Sequence, residues 1–544
     1  MKNIWKSLMA IMGVTVLSIH GSMAQDSGAL IDALVKKGVL TDQEGEEIRS
    51  ETAKDWAQTS ASKINISSFI KNITLYGDMR LRFEDREGIT GVGDSNASGG
   101  PGPGSASVSQ EKDRWRYRLR VGVKGDLYDS FFYGVRLNSG GSNQRSGNIS
   151  FGNSGGAKDG GNTAFGSTGD AANGGPFAHN NGFGFDLLYV GVKPADWVTL
   201  TMGQIANPFY TTNMIWDDNL NPTGFSEQFS HKVIDDDTEV FANFGQFLYD
   251  SFQTSSSTAS SSVGGNNNFM LEEQIGIKHK FTDDIYYKGA VGVMTYTGYG
   301  EETGTTVDAG TLGNWGGAGN QPIHFNGVFT GFNANSNSYS VNNLAVLETP
   351  FEVGFKIQKD WIPMKLFGDF AYNLSGRDRA QAAQDALVNG GPGGLTEAGG
   401  QATAVNGTTS TTAQAATAAT ISSTPYQGVL TDAGRNDVKA YQIGMQFNEL
   451  KKKNDWMAKV YWNHTEYFAV DPNLIDADIF DARTNMEGIV FKASYMLTND
   501  ITLTGQFADA NRIDKNLSTP GTGEDLTNPP NHYQLVQADL IWKF

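Results

Sequence analysis

Residues 73–84 read ITLYGDMRLRFE and residues 113–124 read DRWRYRLRVGVK. In the first stretch Ile73, Leu75, Gly77, Met79, Leu81 and Phe83 alternate with Thr74, Tyr76, Asp78, Arg80, Arg82 and Glu84. In the second, Trp115, Tyr117, Leu119, Val121 and Val123 alternate with Arg114, Arg116, Arg118, Arg120 and Lys124. Phe131, Tyr133, Val135 and Leu137 then alternate with Phe132, Gly134, Arg136 and Asn138. Successive side chains of an extended chain point to opposite faces, so each segment has one apolar face and one charged face. A soluble sandwich alternates too, and two further features separate the cases. The segments run to about ten to fourteen residues, beyond the usual strand mode and matched to a tilted transmembrane strand. Aromatic residues (Phe83, Trp115, Phe131, Trp456, Trp462, Trp542) stand near the ends of the apolar faces, as in the aromatic girdles of membrane barrels.

The connections set the strand count. Short turns fall at 127–129, 194–196, 282–284, 359–363, 449–455 and 498–500. Long polar segments fall at 86–111, 139–181, 205–223, 299–344, 375–434, 467–483 and 512–530, rich in Gly, Ser, Thr, Asn and Ala. Parity requires two strands between Phe225 and Tyr249, with Asp235-Asp236-Asp237 as a further tight turn and 250–269 as a further long loop. Glu227 and His231 spoil the apolar face of the first of these in one register. The expected fold is an all-β, transmembrane antiparallel barrel of about sixteen strands, in a range of fourteen to eighteen. The sheet must close, because in hydrocarbon an unpaired N–H or C=O costs several kcal/mol.

Both chain ends agree with export. Lys2 and Lys6 precede the apolar run Leu8–Ile19, too short to span, and Ser22-Met23-Ala24 offers small residues at a cleavage site. Three regions follow: a signal peptide at 1–24, a periplasmic helical segment at 25–63, and the barrel at 64–544. In the second region Leu30, Ile31, Leu34, Val35, Leu40 and Ile48 fall at helical spacing, and Thr41 with Glu44 forms a capping box. At the other end Val536, Ala538, Leu540, Trp542 and Phe544 alternate with Gln537, Asp539, Ile541 and Lys543. Trp542 and the terminal Phe544 are the expected barrel-insertion signal, read by the barrel assembly machinery. Cys is absent, which excludes a disulfide framework and a lipidated cysteine anchor. The formal charge of −18 becomes −20 once Lys2 and Lys6 are removed, which argues against a nucleic-acid partner.

The stretches LIDALVKKGVLTDQEGEEI, ITLYGDMRLRFEDRE, DRWRYRLRVGVKGDL, VTLTMGQIANPF and WDDNLNPTGF, with the C-terminal strand, together resemble the "putative porin" family of Gram-negative bacteria. The likeness spans essentially the mature chain, in loose motifs with no catalytic signature among them. It implies an outer-membrane diffusion channel for small hydrophilic solutes, without naming the solute. The long insertion at 375–434 is where this chain departs from such relatives.

If the apolar positions face lipid, Arg80, Arg82, Arg114, Arg116, Arg118, Arg120, Lys124 and Arg136 line the pore. Lys288, Lys356, Lys365, Lys459, Lys492 and Lys543 join them, against Asp78, Glu84, Asp186, Glu352, Asp369 and Asp539. Unit charges 4 Å apart interact by about 4 kcal/mol at an effective dielectric near 20, so such an excess would favour anions. The opposing expectation is that these arginines are paired with inward acids or acidic loops. Asp217 and Asp218 lie in the third long loop, which by analogy with general porins would fold inward as a constriction loop. The spacing Asp217-Asn219-Asn221 lacks the Gly and terminal Glu of a helix–loop–helix calcium site. Asp476, Asp478 and Asp481 read as a solvated acidic loop. Gly152–Gly156 matches G-x-S-x-G without the strand-to-helix turn that motif requires. No pair of His has metal-ligand spacing. The expectation is a non-enzymatic channel without metal or cofactor, whose partners are outer-membrane lipid and small solutes or ions, and a homotrimer by architectural analogy. The rival readings are a closed-lumen barrel acting as an adhesin or structural protein, and a barrel enzyme.

Overall fold

The computed structural model describes residues 70–90, 109–140 except 129, 147–151, 183–251 except 235, 267–296, 344–356, 362–377, 436–514 except 473, and 530–544. It also describes 35–37, 41, 44, 46, 48, 324–325 and 329–330. The chain divides into Met1–Ile70 and Lys71–Phe544. The signal-peptide stretch, the G-x-S-x-G match and the insertion at 378–434 lie outside the described residues. In the first unit the capping box is present. The Thr41 backbone N–H and hydroxyl both donate to Glu44 Oε2 (2.8 Å each), and the Glu44 N–H donates to Thr41 Oγ1 (3.3 Å).

The second unit is a closed barrel of sixteen antiparallel strands. These are β1 (Thr74–Thr90), β2 (Ser109–Leu127), β3 (Phe131–Asn138, resumed at Ile149–Ser150), β4 (Gly184–Ala195), β5 (Val198–Gln204), β6 (Thr223–Ile234), β7 (Thr238–Ser251) and β8 (Asn267–Thr282). They continue as β9 (Ile285–Tyr296), β10 (Ala345–Glu348, resumed at Phe351–Phe355), β11 (Met364–Asn373), β12 (Lys439–Phe447), β13 (Trp456–Thr465), β14 (Met486–Met496), β15 (Ile501–Arg512) and β16 (Pro530–Lys543). Each strand pairs with its sequence neighbours, and β1 pairs with β16 from Asp78↔Lys543 to Thr90↔Pro530. Gly77 and Phe544 exchange backbone hydrogen bonds (2.9 and 3.1 Å), so the last residue completes the seam. Gly77 is required there, because a Cβ would overlap the Phe544 ring and the Arg120 carbonyl.

Two strands are interrupted for different reasons. In β10 Pro350 has no N–H to donate, so the strand is interrupted there, while its carbonyl still accepts from Ala290 and the register with β9 and β11 is kept. In β3 the chain leaves the sheet after Asn138, and Ile149 and Ser150 then return to pair with Tyr117 and Arg116. The expected loop 139–181 therefore carries two strand residues. The pair expected between Phe225 and Tyr249 forms as β6 and β7, joined through 235–237.

The faces follow the period-2 reading. Leu75 (64% exposed) and Ile275 (62%) point out, whereas Arg82 (3%) and Glu84 (0%) point in. Phe83 and Trp115 are cross-strand neighbours on the outside, with ring centroids 5.1 Å apart. In β6 the register that places Glu227 outward is the one adopted, with Gln246 Nε2 donating to Glu227 Oε2 at 3.0 Å. Ser226 and Gln228 thereby face inward, and Gln228 Nε2 donates to the Pro208 carbonyl at 3.3 Å.

On the inner wall aromatic rings lie over cross-strand glycines: Tyr76 over Gly122, Phe132 over Gly191, Tyr189 over Gly134, Phe241 over Gly276, Tyr286 over Gly354 and Phe367 over Gly444. Each glycine leaves the volume the ring occupies. Gly276→Val should therefore lower unfolding stability by about 1–3 kcal/mol through overpacking against Phe241. Phe241→Ala should cost less in that background than in the parent chain. Urea titration of the barrel refolded in lipid vesicles measures both, and additive costs would show that the ring and the glycine do not share the space.

Candidate functional site

The third long loop, 205–222, crosses the barrel interior. Its start is fixed to β8, where the Tyr210 N–H donates to Gln274 Oε1 (2.9 Å) and Gln274 Nε2 donates to the Tyr210 carbonyl (2.7 Å). Thr211 Oγ1 then donates to Glu348 of β10 (2.5 Å) and Thr212 Oγ1 to Asp369 of β11 (2.7 Å). Its far part reaches the opposite wall, where Arg118 Nη1 donates to Asn219 Oδ1 (2.9 Å) and Asn221 Nδ2 to Asp186 Oδ1 (2.7 Å). Met214, Ile215 and Trp216 are buried between these anchors. Asp217 Oδ1 accepts from the N–H and the side-chain amide of Asn219, both at 2.8 Å, so the Asp-x-Asn-x-Asn spacing forms a turn. Asp218 is exposed, and its carboxyl is nevertheless raised above its ordinary value. Enclosure by the walls and then Asp217 push it up, while Lys492, Lys459 and Arg120 act in the opposite direction.

The seventh long loop, 466–485, corrects the sequence reading of a solvated acidic segment. Asp476 and Asp481 are buried, and Asp478 is enclosed by the inner wall. Arg82 Nη1 and Nη2 donate to the two Asp478 oxygens (2.8 and 2.9 Å) while its Nε and Nη2 hold Asp539 of β16 (2.7 and 2.9 Å). Arg86 Nη2 donates to Asp478 Oδ1 (3.2 Å), and its Nη1 donates to the Ala477 carbonyl (2.8 Å) and reaches Asp481 (3.4 Å). Burial alone would raise the Asp478 carboxyl, but Arg82, Arg86 and Arg80 hold it well below the usual carboxylate range. Phe480, Asp481 and Ala482 take left-handed φ of 46°, 61° and 55°. Such backbone costs on the order of 1 kcal/mol per residue and persists because burial and Arg86 over-determine it.

The two loops meet inside the barrel. The Asp217 N–H donates to the Leu474 carbonyl (2.7 Å), the Asp476 N–H to the Asn213 carbonyl (3.1 Å), and Asn213 Nδ2 to Asp476 Oδ2. Met214, Ile215, Trp216, Tyr467, Phe468 and Val470 belong to one apolar cluster. Asp476 is pushed up to about 8, first by burial and then by Asp217 and Asp478, against the opposing hydrogen bonds from the Asp478 N–H and Asn213.

The structure places the eight sequence-selected cations on the inward face, and seven of them are held by other groups. Arg114 and Arg116 pair with Glu84, the latter at 3.3 Å. Arg118 and Arg120 share Asp78 (2.8 and 2.7 Å), and Arg136 pairs with Asp186 (2.5 Å). Arg80 donates to Asn148 Oδ1 through Nε (3.1 Å) and Nη2 (2.5 Å). With Arg82 already engaged, Lys124 alone stays open, lying 5.2 Å from the Tyr76 ring centroid.

A second set of inward cations stands on β8, β9, β13 and β14. Lys278, Lys288, Lys459 and Lys492 have no ion pair among the described residues. Lys288 Nζ lies 3.7 Å above the Tyr210 ring. Lys278 was not selected from sequence; its register opposite Lys288 places it inside. Glu272 and Glu348 were also missed, and both are buried on the wall beneath Thr211. Two cavities of about 680 and 740 Å³ flank the crossing loop, the first against Lys124, Tyr189, Thr201 and Gln228, the second against Lys278, Lys288, Glu239 and Glu352. Among the described residues, one carboxylate group could share a cation. It comprises Asp85, Glu111 and Asp113, whose strand positions face out of the barrel.

The family described as "Putative porin" matches residues 55–544. Solved structures similar to this chain include the outer-membrane channel DcaP of Acinetobacter baumannii, at 11% identity and TM-score 0.36, covering 88% of this chain and 99% of that one. OprB of Pseudomonas putida at high pH matches at 9% identity and TM-score 0.40, covering 90% and 97%. OmpF of Salmonella typhi with daunomycin matches at 10% and 0.38, covering 88% and 100%. No curated protein matches the chain.

Two outcomes follow from the loop geometry. Asp478→Asn removes the carboxylate that Arg82 and Arg86 share, while Asp539 still holds Arg82 and Glu84 and Asp481 still face Arg86, so residues 474–482 should loosen by roughly 3 kcal/mol, the low end for breaking a buried pair. Hydrogen exchange on those amides measures it, and unchanged protection would show that the loop is held otherwise. For Asp476 the carboxyl ionises near its ordinary value of 3.8 when released and near 8 when in place. The loop junction should therefore be tightest below about pH 4, weaken between about 4 and 8, and level off above that. Protection factors at the Asp217 and Asp476 amides should follow that course and flatten in Asp476→Asn.

Proposed function

We propose that this chain, which belongs to the "Putative porin" family, is an outer-membrane channel for passive diffusion of small hydrophilic solutes. The observation that carries the reading is charge of opposite sign facing across a partly filled lumen. Asp218, exposed on the crossing loop, lies within electrostatic range of Lys459 and Lys492 of the wall. In this reading Asp217 and Asp218 form the constriction loop, and a passing ion meets a transverse field between fixed acid and fixed cations. Fields of this kind bias permeation strongly where low-dielectric walls confine them.

The ion preference is for anions, and its carriers are the unpaired lysines. The arginines of β1 to β3, although pore-lining by face, are engaged by Asp78, Glu84, Asp186, Asp478 and Asp539, and Arg80 by Asn148. Trp542 and Phe544 serve as the signal read by the barrel assembly machinery, and export by the N-terminal signal delivers the chain to the outer membrane of a Gram-negative cell. A homotrimer is the assembly that fits a barrel of sixteen strands. No reaction is assigned to the lumen.

A second reading has one observation in its favour: the apolar cluster between the two inward loops occupies the lumen as a plug would. A closed barrel acting as a surface scaffold or adhesin follows from it.

Single-channel recording of the detergent-purified full chain in planar bilayers separates the two. Discrete open steps are expected, with a reversal potential in a KCl gradient that shows anion preference. Asp218→Asn should shift that potential further towards chloride. A silent bilayer supports the closed scaffold, and cation preference in the parent chain removes the role given to the lysines.

A further inference from the structure

On the outer face of β6, β7 and β8 the apolar pattern is broken by three side chains well inside the strands. Glu227, Gln246 and Glu273 point outward there, and the outward residues on either side of each along its strand are apolar: Phe225 and Phe229, Phe244 and Leu248, Leu271 and Ile275. Phe244 is the register partner of both Glu227 and Glu273, and Gln246 is that of both Phe225 and Leu271, so the three polar side chains surround one exposed ring. Gln246 donates to Glu227, whereas Glu273 is exposed and has no hydrogen bond or ion pair among the described residues.

The three lie at similar depth. They stand seven, eight and nine residues from the tight-turn ends of their strands at Ile234, Thr238 and Thr282. At about 3.3 Å per residue and a tilt of about 45°, that is roughly 16–21 Å along a lipid-facing band about 25 Å tall. The exposed rings of Phe225 and Phe269 lie farther along the same strands, so the polar groups are within the band rather than at its edge. A carboxyl group there has no water to hydrate it, and ionisable groups at membrane depth face protein rather than acyl chains.

We propose that the outer face of β6 to β8, with Phe244 at its centre and Glu227, Gln246 and Glu273 around it, docks on a second copy of this chain and is turned towards the common axis of the assembly. The inference rests on the homotrimer of the channel reading and gives that assembly its face. Copies inserted the same way in one membrane are related by rotation about the membrane normal, so near the axis each residue meets residues of its own depth. The Gln246 amide of one copy then reaches the carboxyls of the next, and facing carboxyls can share a proton. Lipid tails offer neither bond, and an unrelated partner would have to carry matching groups at the same depth. Exposed Met202, Phe225, Ile275 and Val291 supply apolar area around the polar centre.

The chain has no Cys, so one introduced thiol per copy reports only contacts between chains. Leu271→Cys places it beside the patch, and Phe507→Cys places it on the outer face of β15, on the far side of the ring. Intact outer membranes carrying either variant are treated with a short bis-maleimide. Leu271→Cys should give an adduct of twice the chain mass, and Phe507→Cys should give none. Adding Gln246→Leu and Glu273→Leu to Leu271→Cys should lower the yield several-fold, and Glu273→Gln should preserve it. Resistance of the barrel to unfolding in cold detergent confirms that each variant is folded. An adduct from Phe507→Cys alone, or equal yields from both positions, overturns the proposed face. A Leu271→Cys adduct of any other mass gives the face to a different protein and overturns the proposal too. No adduct at either position also overturns it, and sedimentation as a monomer or a trimer then tells whether the homotrimer falls with it. Conduction decides the channel reading separately.

Discussion

The backbone of a strand in hydrocarbon has no water to bond, so every N–H and C=O must find a partner within the sheet. In this chain the requirement concentrates at one seam, where β1 meets β16 and Phe544 closes the ladder on Gly77. Closure fixes which face of each strand is inside, and period 2 then sends every second side chain into a confined interior. What the sequence places there must be accommodated. The cross-strand glycines do this for rings, the acids do it for guanidinium groups, and the two crossing loops fill part of what remains.

The inward loops stand on that wall. Residues 205–222 are held at one end by β8, β10 and β11 and at the other by β2 and β4, and each anchor is an inward side chain of the alternating pattern. Residues 466–485 are held by Arg82 and Arg86, which the same pattern turns inward from β1. A one-residue slip in β1 would expose both arginines to lipid and leave Asp478 without its partners, so register and loop position are coupled. That coupling gives the charged inner face a structural task apart from any solute.

Much of this was legible in the sequence because it is local. Alternation in β1 and β2, tight turns such as 282–284, and the apolar end of β16 need only neighbouring residues to be read, and with the parity of turns and loops they point to about sixteen strands in a range of fourteen to eighteen. The position of Asp217 on a loop entering the lumen was reached by analogy and agrees with the burial of Met214 to Asp217. The seventh loop was misread for a physical reason. Its contacts with Arg82 join residues 396 positions apart, and an acidic stretch rich in Asp looks the same whether water or guanidinium surrounds it. The interruption of β3 was hidden likewise, since Asn148 finds Arg80 only in space. Lys278 was passed over because Glu272 and Glu273 together blur the alternation in β8. Pro350, by contrast, was a readable signal of the break in β10, because proline cannot sustain a central ladder.

The two cation types in the lumen divide along lines their chemistry sets. Guanidinium is planar, always charged and able to hold two acceptors at once, as Arg82 holds Asp478 and Asp539. That suits permanent joints between wall and loop, and the buried arginines of β1 and β2 serve as such. An ammonium group is a compact point charge on a flexible stem, which suits brief contact with a moving ion. The lysines of β8, β9, β13 and β14 keep theirs unpaired among the described residues, as the cross-strand pairs Lys278–Lys288 and Lys459–Lys492. Counting inward basic residues from sequence therefore overstates the open charge unless arginine and lysine are weighted differently. A guanidinium group that has found an acid or an amide within reach serves as a joint, and an ammonium group that has found none among the described residues keeps its charge open to the lumen.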